Sequence, residues 1–144
     1  MDSADPAPFV PDDPELRSIL GSARTIAVVG LSSKPYRPSY GVAAYLQAKG
    51  YRIIPVNPNE TEVLGERAYA SLLDVPERID AVDVFRRAEE TPEVARQAVA
   101  VGAKVLWLQM DIVNDEARRI AEEGGLDVVM GVCIRTTHQR LEVT

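Results

Sequence analysis

Apolar positions along this chain follow two periods in turn. Thr25–Val29 is a short β-branched run, the kind that fills a strand buried on both faces. Gly30 ends the run, and a polar loop carrying Lys34 follows. From Ser39 the period lengthens: Val42, Tyr45 and Leu46 share one helical face, and Gly50 stands where a glycine closes a helix. Tyr51–Val56 is a second apolar run, stopped by Asn57-Pro58. The unit is strand–loop–helix–strand, half of a doubly wound α/β fold.

Further along, Ala81–Phe85, Lys104–Gln109 and Leu126–Met130 read as strands. Trp107 and Gln109 share a face by period two, Trp107 as core or crevice wall. Thr91-Pro92-Glu93 opens a helix by the cap-then-proline rule, with Val94, Ala98 and Val101 inward and Gly102 at its end. Asn114 caps another helix, which Gly124-Gly125 closes. Leu72, Leu73 and Val75 suggest one helical turn before Pro76. Upstream, Asp13 is the expected cap of a short helix with Pro14 at its first position, the stripe Leu16, Ile19 and Leu20, and Gly21 as its stop.

Residues 1–11, acidic and proline-rich, are expected to form a flexible tail, and 12–144 one domain. Five strands with helical crossovers predict a three-layer, doubly wound (Rossmann-type) parallel sheet of order 3-2-1-4-5, strands counted along the chain. The pattern leaves an exchanged edge or an antiparallel last strand open.

Composition narrows the class. A chain of 144 residues, 46% apolar, can bury a core without staples. No apolar run approaches the ~20 residues that span a bilayer, the N-terminus has no signal-peptide pattern, and a single cysteine cannot form an internal disulfide. A cytoplasmic protein is expected. The formal charge of −6 speaks against nucleic-acid and anionic-membrane partners, and it makes a local concentration of cations informative.

Such a concentration is predicted. A helix opening just after a strand presents free N–H groups and a partial positive charge, which attract a phosphate. Gly30 permits close approach; Ser32, Ser33 and Ser39 add hydroxyls, and Lys34 a full charge. Lys34-Pro35 and Arg37-Pro38 stiffen the loop. Arg86-Arg87, at the carboxyl end of the third strand, aim at the same crevice. The plain alternatives are a solvated loop lysine and arginines that complement Glu89 and Glu90. A G-x-G-x-x-G and a G-x-x-x-x-G-K-[ST] are both missing, and Asn57-Pro58 stands where an NAD enzyme places an acid. Glu60 lies beyond a proline that turns the chain away. The residues themselves reach a phosphate-bearing ligand other than NAD.

The run VVGLSSKPYRPSYGVAAYLQAKGYRIIPVNP resembles the small stand-alone CoA-binding proteins of the Rossmann type, relatives of the N-terminal CoA-binding domain of the succinyl-CoA synthetase α-subunit. The similarity continues through VLGERAYASLLDVPERIDAVDVFRR, GAKVLWLQ and Cys133…His138…Arg140-Leu141, from about Leu16 onward. It departs at Asn59, where relatives often carry a basic residue, and at Gly131-Val132, where they commonly carry Asp-Arg. The resemblance implies coenzyme A or an acyl-CoA as ligand. Gly30, Leu31, Ser32, Ser33 and Lys34, with Ser39, Tyr40 and Gly41, would hold the diphosphate. Lys34, with Arg37 or the Arg86-Arg87 pair, would balance the remaining phosphate charge. Asn57, Pro58 and Phe85 would flank the adenosine, and Gln109, with Met110, the pantetheine arm.

Catalytic candidates are few. Cys133 and His138 are the only thiol and imidazole, five residues apart with no evident carboxylate to orient the histidine. They are expected to be a packed thiol and a surface histidine, and no metal-ligand spacing is present. The expectation is ligand binding without catalysis. The rivals are an NAD(P)-dependent oxidoreductase and an interaction module. In the latter, Met110, Ile112, Val113, Val132 and Ile134 form an apolar patch for a partner protein or, as a homodimer, a second subunit.

Overall fold

The structure, a computed structural model, describes residues 7–143. Helix α1 (Asp13–Ser22) is capped by Asp12, whose carboxylate accepts the Glu15 N–H at 3.0 Å. The cap therefore lies one residue before the expected Asp13. Asp13 sits in the first turn instead, and there its carboxylate takes the Arg140 guanidinium at 3.1 Å.

Strand β1 (Thr25–Val29) leads through the loop to α2 (Pro38–Ala48) and to β2 (Arg52–Val56). A two-stranded hairpin follows, β3 (Glu62–Val63) and β4 (Glu66–Arg67), turning through Leu64 and Gly65, both at positive φ. A helical turn at Leu72–Asp74 precedes β5 (Ala81–Val84). Helix α3 (Thr91–Ala100) grows out of a turn at Ala88–Glu90. Thr91 is thus its first residue rather than its cap, and its hydroxyl donates to Ala88 O. Strand β6 (Val105–Leu108), α4 (Asp115–Glu123), β7 (Asp127–Met130) and α5 (Ile134–Leu141) complete the chain. Asn114 caps α4 as expected, accepting the Ala117 N–H at 2.8 Å.

The main sheet has five strands, all parallel, in the order β2-β1-β5-β6-β7. The class and the five-strand parallel sheet are those expected, but the order is not. Counted along the chain it is 2-1-3-4-5, because the third strand pairs with the first and not beyond the second. Pro55 gives the physical reason. Its carbonyl accepts Tyr69 N–H at the outer edge of β2, and N and O of one residue point to the same edge, so the missing N–H also lies there. A full partner strand would need that donor; the edge carries instead a one-residue bridge to Tyr69.

Two apolar layers cover the sheet. Ala27, Val29, Val82, Val84, Leu106 and Leu108 face α3 and α4, while Ile26, Val28, Trp107 and Val129 face α1, α2 and α5. Of the expected tail, residues 1–6 lie outside the described residues. Phe9 exchanges two backbone hydrogen bonds with Met130, and the Arg118 guanidinium stacks 3.5 Å from its ring centroid. No helix among the described residues is long and apolar enough to cross a membrane.

Candidate functional site

The carboxyl ends of β1, β2 and β5 meet at Gly30. Its N–H donates to Val56 O at 2.8 Å, and its φ of 88° belongs to the glycine region. A Cβ at this position would lie 2.4 Å from Phe85 O. Only glycine lets the three strand ends close together. Above them opens a hollow of about 690 Å³. Gly30, Ser32, Lys34, Arg37, Pro38 and Ser39 line one side, Asn57, Asn59 and Glu60 a second, and Phe85, Arg86, Arg87 and Ile112 the rest. A smaller, more apolar hollow of about 350 Å³ adjoins it through Arg86, walled by Val29, Val56, Pro58, Leu72 and Val94 among others.

Side chains already occupy the amides of the loop. Ser32 N–H donates to Ser39 Oγ at 3.1 Å, Lys34 N–H to Ser32 Oγ at 3.1 Å, and Ser33 N–H to Glu60 Oε2 at 2.8 Å. Asn57 Nδ2 donates to Leu31 O at 3.0 Å and ties the β2 end to the loop. The positive end of α2 differs, because Arg37 at its cap position makes no side-chain capping bond. Arg86 and Arg87 both hold Glu90, at 2.8 and 3.1 Å from their Nε atoms. Bonds from Arg86, then Arg87, keep the Glu90 carboxyl below its usual range. The pair thus has a carboxylate partner and still forms part of the wall.

The structure brings together Gly30, Ser32, Lys34, Arg37, Ser39, Asn57, Phe85, Arg86 and Arg87. Others fall elsewhere. Leu31 has its side chain fully buried in the core, and its carbonyl accepts Asn57 Nδ2. Ser33 contributes its amide, Tyr40 packs half-buried in the α2 layer, and Gly41 faces Arg135. Pro58 walls the adjoining hollow. Gln109 is buried and does not line the large hollow: its Nε2 donates to Asp83 Oδ1 at 2.5 Å. Four wall residues, Pro38, Asn59, Glu60 and Ile112, are not among the expected ligand contacts. Ile112 reaches the hollow because the chain turns at Asp111, whose φ is 67°. Glu60 returns to it despite Pro58, because its N–H closes a turn on Asn57 O.

Asp83 is an acid in the middle of an otherwise apolar strand. It is fully buried, and its Oδ2 has no hydrogen-bond partner among the described residues. Burial pushes its carboxyl up to about 7, against which the Gln109 bond works in the opposite sense.

Cys133 and His138 do not form a pair. Cys133 lines a hollow with Val10, Met110 and Val132, whereas His138 lines another with Lys49 and Tyr51. His138 is buried rather than on the surface: its Nδ1 meets Tyr45 OH at 2.7 Å, and the rings of Tyr45 and Tyr51 stand edge-on to it. Burial, with Lys49 nearby, holds its pKa below the usual value. Trp107 is core as expected, its N–H satisfied by Val132 O. The expected apolar patch is not continuous, since Ile134 is buried and Ile112 and Val113 pack against the α3–α4 layer. Among the described residues no three His, Cys, Asp or Glu side chains cluster as metal ligands do.

A family described as a CoA binding domain matches residues 24–139. The chain belongs to that family. This CoA-binding domain is 44% identical over 128 residues to the uncharacterized protein YneT of Bacillus subtilis, covering 89% of this chain and 95% of YneT. It is 29% identical over 111 residues to an ADP-forming acetate–CoA ligase of Archaeoglobus fulgidus, covering 76% of this chain but only 16% of the ligase. A solved hypothetical protein from Pyrococcus horikoshii superposes with a TM-score of 0.91 at 41% identity, over 99% of both chains. The similarity is thus to small whole proteins and to one terminal domain's worth of much longer ligases.

Proposed function

We propose that this protein binds coenzyme A or an acyl-CoA in the hollow at the carboxyl ends of β1, β2 and β5, and performs no chemistry on it. One observation carries the reading: Lys34, Arg37, Arg86 and Arg87 converge there on a chain whose net charge is −6. The uncapped end of α2 adds its dipole to theirs. The diphosphate lies over Gly30 and the first turn of α2, where a Cβ-free residue lets it approach. The adenosine lies toward Asn57, Pro58 and the apolar adjoining hollow. The family match and the similarity to part of a CoA ligase support the same ligand. A binder without catalysis suits a site in which neither Cys133 nor His138 takes part.

Thermal unfolding with and without ligand tests this. At ~100 times its dissociation constant CoA should add roughly 2.7 kcal/mol of stability, seen as a clear rise in Tm, and NADH at equal concentration should add none. A rise with NADH and none with CoA would replace the assignment by a nicotinamide site.

A further inference from the structure

Glu60 is fixed in place from both sides. Its own N–H donates to Asn57 O at 3.2 Å, while Asn57 Nδ2 holds Leu31 O at 3.0 Å. The turn after β2 is therefore latched to the loop after β1 by a neutral carboxamide. The second latch is different in kind. Glu60 Oε2 accepts the Ser33 N–H at 2.8 Å, a full negative charge on a backbone amide at the rim of the hollow. Glu90 pairs directly with Arg86 and Arg87, whereas Glu60 makes no ion pair among the described residues. What holds Glu60 is the amide N–H between Ser32 and Lys34, and those two residues line the hollow together with Glu60, Arg37 and the two arginines. Those are the partners a phosphate oxygen requires.

We propose that Glu60 is an internal stand-in for the ligand's phosphate, occupying the Ser33 amide in the free protein and displaced when the diphosphate enters. This rests on the CoA reading above and adds a competition to it. One N–H directed at one acceptor cannot serve a carboxylate and a phosphate at once, and two anions in one small site repel. Every phosphorylated ligand must first break the Ser33–Glu60 bond. Its apparent affinity is reduced by the fraction of molecules in which that bond is closed. Glu60 thereby selects for ligands that bring enough negative charge to displace it.

The test is calorimetric titration of CoA into the wild type, Glu60→Gln and Glu60→Ala, with thermal unfolding to show that each variant is folded. Glu60→Ala should bind CoA about tenfold tighter, since a bond to a charged acceptor no longer has to be broken first. Glu60→Gln keeps an acceptor but no charge, and should fall between the two. It also guards against a loop loosened by alanine: a tighter Glu60→Gln supports the proposal whatever Glu60→Ala does. In ¹⁵N spectra, the Ser33 amide should move on adding CoA to the wild type and be displaced already in free Glu60→Ala. If all three proteins bind CoA equally, or both variants bind it more weakly, the stand-in role is overturned and the ligand reading survives. If none binds CoA, both fall.

Discussion

Asp83→Asn is the substitution that this fold should register most sharply as a function of pH. Asp83 is fully buried in the central strand, with Oδ1 on Gln109 Nε2 and Oδ2 unpartnered, and its pKa rises from the ordinary 3.8 to about 7. In the folded state it therefore keeps its proton up to near neutrality, while the unfolded chain loses it near pH 4. Between those values the folded state binds more protons, so stability falls as pH rises. A shift of about three units corresponds to about 4 kcal/mol in all, about 3 of it lost between pH about 4.5 and about 8.5. Asn has the same shape and can accept the Gln109 bond, but it cannot ionise. Its amide nitrogen takes the place of Oδ2, which carries the proton in the folded wild type, so both side chains leave a buried donor unsatisfied below neutrality and only the wild type goes on to ionise. Urea unfolding of both proteins across that range should show the wild type losing about 3 kcal/mol more than the variant, with the other titrating groups cancelling in the difference. Parallel pH profiles would mean that Asp83 ionises normally inside the fold, and the argument from its burial would fail.

Three further outcomes follow from the same geometry. Lys34→Ala should weaken CoA binding by roughly 1.5–3 kcal/mol in a titration and leave the unfolding midpoint nearly unchanged, since an exposed loop lysine adds little to stability; unchanged affinity would move the phosphate toward Arg86 and Arg87. Gly30→Ala should lower stability by at least about 1–2 kcal/mol in denaturant unfolding, because alanine resists a φ of 88° and its Cβ would meet Phe85 O; a neutral effect would show that the strand ends can part freely. Cys133→Ser and His138→Ala should bind CoA within a few-fold of the wild type, with no release of free thiol from acyl-CoAs depending on either residue; turnover that vanishes in both would establish an enzyme.

What the chain order alone determined is local. Strand and helix identities follow from apolar period and from Gly, Pro and Asn punctuation, which act over one or two turns and need no partner. The loop of Gly30, Ser32 and Lys34 was legible for the same reason, as was the convergence of Arg86 and Arg87 on it: in an open parallel sheet all strands end on the same side. Tertiary structure decided what depends on neighbours far along the chain. The place of β5 beside β1 rests on which edge of β2 lacks a donor, and Pro55 announces that only once the outer edge is known. Gln109 stands at a strand end, where the resemblance implies a place beside the pantetheine arm, but Asp83, 26 residues earlier, draws its amide inward. A histidine this near the C-terminus is expected at the surface, yet Tyr45, 93 residues away, encloses His138. Glu60 reaches Ser33 because two loops from different strands meet, a distance that no spacing along the chain encodes.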